Sequence, residues 1–274
     1  MRCRERRRAV DHLSAPQVMP APHVRSAILF RDGLAPSSGA ASLLCTNPVD
    51  TWVVHDAPTL AQALGAADAA RSAGQVAVFA LDYEAGALIE PAIGERPNGQ
   101  AIPLGHIWVF SESHWLTQSE ADRWLMQDVD TVAPSGCVRG KPALDQPAYA
   151  AALHCVRAAI ADGEIYQINL TFPVDVTLYG DPAKVFLDLA RAQPTAHAVY
   201  IDMPEYQALS LSPELFFSVE GEKITVRPMK GTAPRLANVA ADHRQAEQLR
   251  SSEKNRAENL MIVDLLRNDL GRVA

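Results

Sequence analysis

The sequence predicts an α+β protein with largely antiparallel sheets flanked by helices. Three observations lead there. Apolar strand-like runs follow one another with turn residues between them, helices separate and follow those runs, and a Glu220-Gly221 hairpin signal joins two neighbouring strands. The chain of 274 residues is long enough for one large domain or two small ones, and a hydrophobic content of 48% is ample for a core.

In chain order, "QVAVFALDYEAGALIEP" (75–91) begins as a strand and ends in small residues, and "HIWVFSE" (106–112) is a second short strand. Residues 127–147 mix Pro, Gly and Asp and read as a connector. In "DQPAYAAALHCVRAAIADGE", Asp145 caps a helix, Pro147 suits its first turn and Gly163 ends it. Tyr149, Leu153, Val156 and Ile160 share one face of that helix. "EIYQINLTF" alternates with period two, which predicts a strand. Tyr166, Ile168, Leu170 and Phe172 lie on one face, with Gln167, Asn169 and Thr171 on the other. "DPAKVFLDLARAQP" is a helix opened by Asp181 and Pro182. "HAVYIDM", "QALSLSP", "LFFSVEG" and "KITVRP" are strands, the last two an antiparallel hairpin. "SSEKNRAENLMIVDLLRNDLG" is a final helix. Its centre, 260–266, is apolar on nearly every side apart from Asp264, so burial is expected.

Composition narrows the function. A net charge of −7 argues against a nucleic-acid binder, which needs basic patches. No run of ~18 apolar residues is present to span a membrane. The basic "RCRERRR" near the N-terminus lacks a following apolar region, so residues 1–22 read as a disordered extension, with Met19 as an alternative start. Four scattered cysteines without a C-x-x-C spacing suggest reduced thiols in a cytoplasmic protein rather than a zinc site.

Three side chains stand out chemically. Lys230 sits in "TVRPMKGTAPR", a loop kinked by Pro228 and Pro234 and loosened by Gly231. Glu214 in "SLSPELFF" is a carboxylate at the junction of two strands. Glu258 shares a helix face with Met261, Ile262 and Leu265, where burial requires a cation; the alternative is an exposed pair with Lys254 at i−4. Asp264 and Asn268 form a second polar pair, suited to capping backbone or binding Arg267. No G-x-S-x-G, Walker A loop or G-x-G-x-x-G occurs.

At "GEIYQINLTF", "SLSPELFF", "TVRPMKGTAPR" and "EKNRAENLMIVDLLRNDLGRVA" the chain resembles the chorismate-utilising enzymes. This family includes the anthranilate, aminodeoxychorismate, isochorismate and salicylate synthases. The resemblance is dense over 145–274 and implies an anthranilate synthase component I-like fold, with 23–140 as an N-terminal part and 141–274 as the first part of the chorismate-binding catalytic domain. It implies roles residue by residue. Gln167 stands where water-using members carry a lysine base, which points to the ammonia-using branch and a substrate-binding role. Lys230 stands where anthranilate and isochorismate synthases typically carry alanine, and resembles the nucleophilic lysine of the aminodeoxychorismate synthase branch. Glu214 matches the general acid/base carboxylate. Glu258 matches a Mg²⁺ ligand, and Gly231 and Thr232 shape the substrate loop. The partners implied are chorismate and a glutamine amidotransferase that supplies ammonia. The alternatives are an anthranilate synthase component I or a non-catalytic fragment that docks a glutaminase. Family members continue beyond "RNDLGRVA", so residues 1–274 are expected to be a truncated catalytic domain, inactive alone, with an open sheet near its C-terminal end.

Overall fold

The computed structural model describes residues 24–90 and 102–273, so the expected extension over 1–22 lies outside the described residues. The described residues open with β1 (Ala27–Arg31), β2 (Ala40–Val54), α1 (Ala57–Ser72), β3 (Val76–Leu81), β4 (Gly105–Thr117) and α2 (Gln118–Met126). Next come β5 (Gly136–Pro142), α3 (Gln146–Ala161), β6 (Val174–Tyr179), α4 (Pro182–Ala192), β7 (His197–Met203) and β8 (Tyr206–Ser212). The order ends with β9 (Ser218–Glu220), β10 (Lys223–Thr225), α5 (Val239–Ser251) and α6 (Glu253–Leu270). Two compact units interleave in sequence. The larger holds 26–121 and 190 onward; the smaller holds 122–189 and is joined by Arg25.

The larger unit is built on a six-stranded sheet in the order β3-β4-β2-β1-β7-β8. Every pairing in it is antiparallel. Strand β4 explains the core. His106, Trp108 and Phe110 alternate with Ile107 and Val109, and all five are buried. Trp108 and Phe110 enter one cluster with Ile28, Cys45, Val78, Ile201 and Met203. Ile107 enters the other, with Val54, Leu104 and the α1 residues Leu60 and Ala63. A strand buried on both faces reads as an unbroken apolar run, as "HIWVF" does.

The sheet is strongly curled. Four strand spacings separate β4 from β8, roughly 19 Å if flat. Yet the rings of His106 and Tyr206 stand 5.1 Å apart, and those of Trp108 and Tyr206 5.9 Å apart. Register shifts in β2 between Ala40 and Ser42 and between Pro48 and Asp50 give such a sheet its bends. Helix α1 covers one face. Asp56 accepts the Thr59 N–H in a capping box, a bond that holds the Asp56 carboxyl below its ordinary range.

In the smaller unit β5 pairs antiparallel with β6. Helix α3 starts as its sequence requires, with the Asp145 carboxylate accepting the Ala148 N–H at 2.8 Å, and Gly163 follows its end at φ 73°. Asp181 likewise accepts from Ala183 N–H at the start of α4. The Arg25 guanidinium donates to the carbonyls of Trp124, Leu125 and Gln127 and lies 4.9 Å over the Trp124 ring.

Two sequence expectations are corrected here. Residues 166–172 form no strand: 165–173 are irregular, and Tyr166, Ile168 and Phe172 are exposed. Period-two alternation supplies a face but not a partner, and a strand without a ladder leaves its backbone groups unpaired. Helix α6 is not buried. Leu260 is 68% exposed, Met261, Val263 and Leu265 are exposed as well, and none of the helix's residues is buried. An all-round apolar helix is buried only where a second layer covers it, and no such layer buries any residue of α6. The expected hairpin is present, with Glu220 opposite Lys223 and Gly221 at φ 60° in its turn.

His106 gives the core a pH dependence. Burial lowers its pKa below 6.5, outweighing the opposing charges of Glu205 and Asp82, with His55 adding to the decrease. A lowered folded-state value favours the neutral ring. Its contribution is therefore complete above pH 6.5 and declines as pH falls through the folded value. Thermal melts should show stability falling below pH 6.5, and His106→Gln should flatten that part of the profile.

Candidate active site

Strand β8 ends where Pro213 cannot donate to a ladder. Ser212 closes the turn: its hydroxyl donates to the Glu214 carbonyl at 3.1 Å and accepts the Glu214 N–H at 3.4 Å. The β9–β10 hairpin then doubles the chain back. The returning Met229 N–H donates to Glu214 Oε1 at 2.8 Å. A carboxylate at a strand end is thus tied to the residue beside Lys230, although fifteen positions separate the bonded residues. Lys230 is half-buried and Thr232 exposed.

Gly231 fixes the next contact. Its φ of +75° lies in the left-handed region, and a Cβ there would stand 2.8 Å from Asn255 Cγ. The loop therefore lies against the first turns of α6, whose start is capped by the Ser252 hydroxyl accepting from Asn255 N–H. Glu258 lies three residues on from Asn255, on the same side of the helix, and is half-buried. Its Oε1 is 3.8 Å from Lys254 Nζ, the i−4 pair that spacing allows. Asp264 pairs with Arg267 at 3.3 Å, as expected.

The loop's far end is held as well. Arg235 Nε donates to both Asp242 oxygens at 3.0 Å, its Nη2 lies 2.8 Å from Oδ2, and the Leu236 N–H donates to Oδ1 at 2.9 Å. The Arg235 and Leu236 hydrogen bonds hold the Asp242 carboxyl below its ordinary range, and Asp242 raises Arg235 in turn. Glu214 also lines an open pocket of about 330 Å³ with Phe30, His197, Ser210, Ser212 and Phe217. Lys230 is not among the lining residues.

Within the larger unit, then, Glu214 binds the backbone next to Lys230, and Gly231 lies against the first turns of the helix that carries Glu258. Gln167 belongs to the smaller unit, in the irregular segment after α3, and is exposed. Sequence reasoning missed Ser212, Arg235, Asp242 and Asn255. The Ser-Pro-Glu turn was a usable signal for Ser212. Arg235 and Asp242 had none, because seven positions across a loop and a helix start match no regular period.

The chorismate binding enzyme family profile matches residues 40–274, and the chain belongs to that family. Over 119 residues it is 45% identical to aminodeoxychorismate synthase component 1 of Salmonella typhimurium, a match covering 43% of this chain and 26% of the relative. Over 118 residues it is 39% identical to anthranilate synthase component 1 of Methanothermobacter thermautotrophicus, covering 43% and 25%. The matched region thus spans about a quarter of the length of these relatives. Among solved structures, an isochorismate synthase of Bacillus anthracis described as 2,3-dihydroxybenzoate-specific superposes with a TM-score of 0.55 at 18% identity. It covers 87% of this chain and 57% of that one, a likeness of fold.

Two substitutions test this geometry. Gly231→Ala forces an alanine into the left-handed region and against Asn255, and should cost about 1–3 kcal/mol in urea unfolding. Glu214→Ala should speed hydrogen exchange at the Met229 amide, whereas Glu214→Gln, which keeps an acceptor oxygen, should largely preserve protection.

Proposed function

We propose that this chain carries part of the active site of an aminodeoxychorismate synthase component 1. The reaction is conversion of chorismate and ammonia to 4-amino-4-deoxychorismate, in the route to para-aminobenzoate and folate. A glutamine amidotransferase partner supplies the ammonia. The observation that carries this reading is Lys230: a lysine stands in the loop whose neighbouring amide is bound by the Glu214 carboxylate. The Salmonella relative bears the matching name.

The chemistry follows from the residues. A deprotonated Lys230 amine adds at C2 of chorismate, the double bonds shift, and the C4 hydroxyl leaves as water. Ammonia then adds at C4, the double bonds shift back, and the lysine amine is expelled. One difficult displacement becomes two easier ones. Glu214, as general acid/base, takes the proton shed by the adding amine and gives it to the leaving hydroxyl. Its Oε1 is engaged by Met229 N–H, which leaves Oε2 outside that bond. Gln167 cannot act as a base at neutral pH, which favours ammonia over water as the incoming group, and Gly231 and Thr232 shape the loop around the ring.

Mg²⁺ belongs to the proposal through Glu258. Among the described residues no group of three or more His, Cys, Asp or Glu side chains is placed to hold a metal. A single half-buried carboxylate fits one ligand position of an ion that takes few protein oxygens and completes its shell with water and substrate. Bound there, the ion would neutralise a substrate carboxylate. Glu258 would have to exchange its Lys254 partner for the ion.

An anthranilate synthase component 1 is the second reading, favoured by the Methanothermobacter relative. Lys230 stands against it. The test is chorismate without ammonia, on this chain extended by the Salmonella relative's residues beyond the matched region, followed by peptide mass spectrometry. An adduct on Lys230 of the mass of chorismate less water is expected, and it should vanish in Lys230→Ala. Adding ammonia should release 4-amino-4-deoxychorismate. Anthranilate as the product, unchanged by Lys230→Ala, would establish the second reading. No adduct and no turnover with a glutaminase partner bound would leave a docking role only.

A further inference from the structure

The loop between β10 and α5 is fastened at three places, and only the first two touch the residues discussed as chemistry. Met229 N–H is bound to Glu214, and Gly231 rests on Asn255. The third fastening is Asp242. Its carboxylate receives the fork of Arg235 and the Leu236 N–H, four contacts of 2.8–3.0 Å that take up both oxygens.

Helix capping does not account for this. Asn238 already caps α5, its Oδ1 accepting the Ala241 N–H at 3.0 Å. Stability accounts for little of it, because the Arg235 side chain is 90% exposed and pairs of that kind contribute little to folding. A bidentate fork does fix geometry, since a planar guanidinium matches a carboxylate in one orientation. Arg235 lies five residues beyond Lys230, so holding Arg235 limits the paths the intervening loop can take.

We propose that Asp242 is a positioning residue for Lys230. Acting through Arg235 and the Leu236 amide, it holds the far end of the loop so that Met229 stays on Glu214 and the segment carrying Lys230 keeps its path. This rests on the reading of Lys230 as the reactive amine. Asp242 keeps its charge well below neutrality, so the fastening holds across the pH range in which an amine nucleophile works. It opens only in acid, as pH falls below 3.8 through the lower folded value.

The test uses chain 1–274 and two readouts, neither of which requires turnover. One is hydrogen exchange at the Met229 and Leu236 amides. The other is the reductive methylation rate of Lys230 relative to exposed Lys254 and to Lys141 of the smaller unit, by peptide mass spectrometry. Asp242→Asn and Arg235→Ala should each raise Met229 exchange at least tenfold and bring the Lys230 rate to that of Lys254. Lys141 labelling and the melting temperature should change little. The swap Arg235→Asp with Asp242→Arg should restore slow exchange and slow labelling. Arg235→Ala leaves Asp242 in the first turn of α5, so an effect shared by both single variants is not a helix-dipole effect. Unchanged Met229 exchange in both, or a folded swap variant that restores nothing, would overturn the proposal. Failure of the functional reading looks different: Met229 would answer to Asp242 while Lys230 formed no adduct with chorismate.

Discussion

The hydrogen bond from the Met229 amide to Glu214 is the contact on which the site depends. It joins two segments that the sequence keeps apart, a strand end and a loop beyond a hairpin. A carboxylate acceptor makes it stronger than a neutral pair, because the charge assists. With it the Glu214 carboxylate is held against the backbone next to Lys230.

That bond can form only because Glu214 is delivered to a fixed point. The β7–β8 hairpin ends at Ser212, and its strands belong to a curled sheet whose interior is filled by Trp108, Phe110, Ile28 and Met203. Close packing makes such a sheet a stiff base. The candidate residues Glu214 and Lys230 sit on turns and loops leaving it, where they can be aimed without disturbing the core. The loop also meets helix α6, where Asn255 stands against Gly231 because glycine has no Cβ.

Much of this was legible in the sequence for identifiable reasons. Caps announced α3 and α4, since Asp145 and Asp181 stand directly before a proline or the residue preceding one. Strand-like apolar runs announced β7 and β8, and "HIWVFSE" announced β4, which the structure extends to Thr117. The four family blocks brought out Glu214, Lys230 and Glu258. Other features were not legible. The segment around Gln167 alternates like a strand but lacks a ladder partner, and a one-dimensional pattern cannot say whether a partner is there. The centre of α6 is apolar enough for a core yet exposed, because burial depends on what else packs against it. The Arg235–Asp242 fork joins side chains through the shape of a loop, which no periodicity encodes. Helices α1 and α5 are rich in alanine and polar residues, so their faces are weakly marked.

The central claim is that Glu214 and Lys230 act as one site. A double-mutant cycle on chorismate binding, measured by calorimetry with Glu214→Gln, Lys230→Ala and the pair together, tests it most directly. Residues that share one network depart from additivity by about 0.5–3 kcal/mol, and this account predicts a coupling in that range. Effects that add within about 0.3–0.5 kcal/mol would show that the two residues meet the substrate independently, and would contradict it.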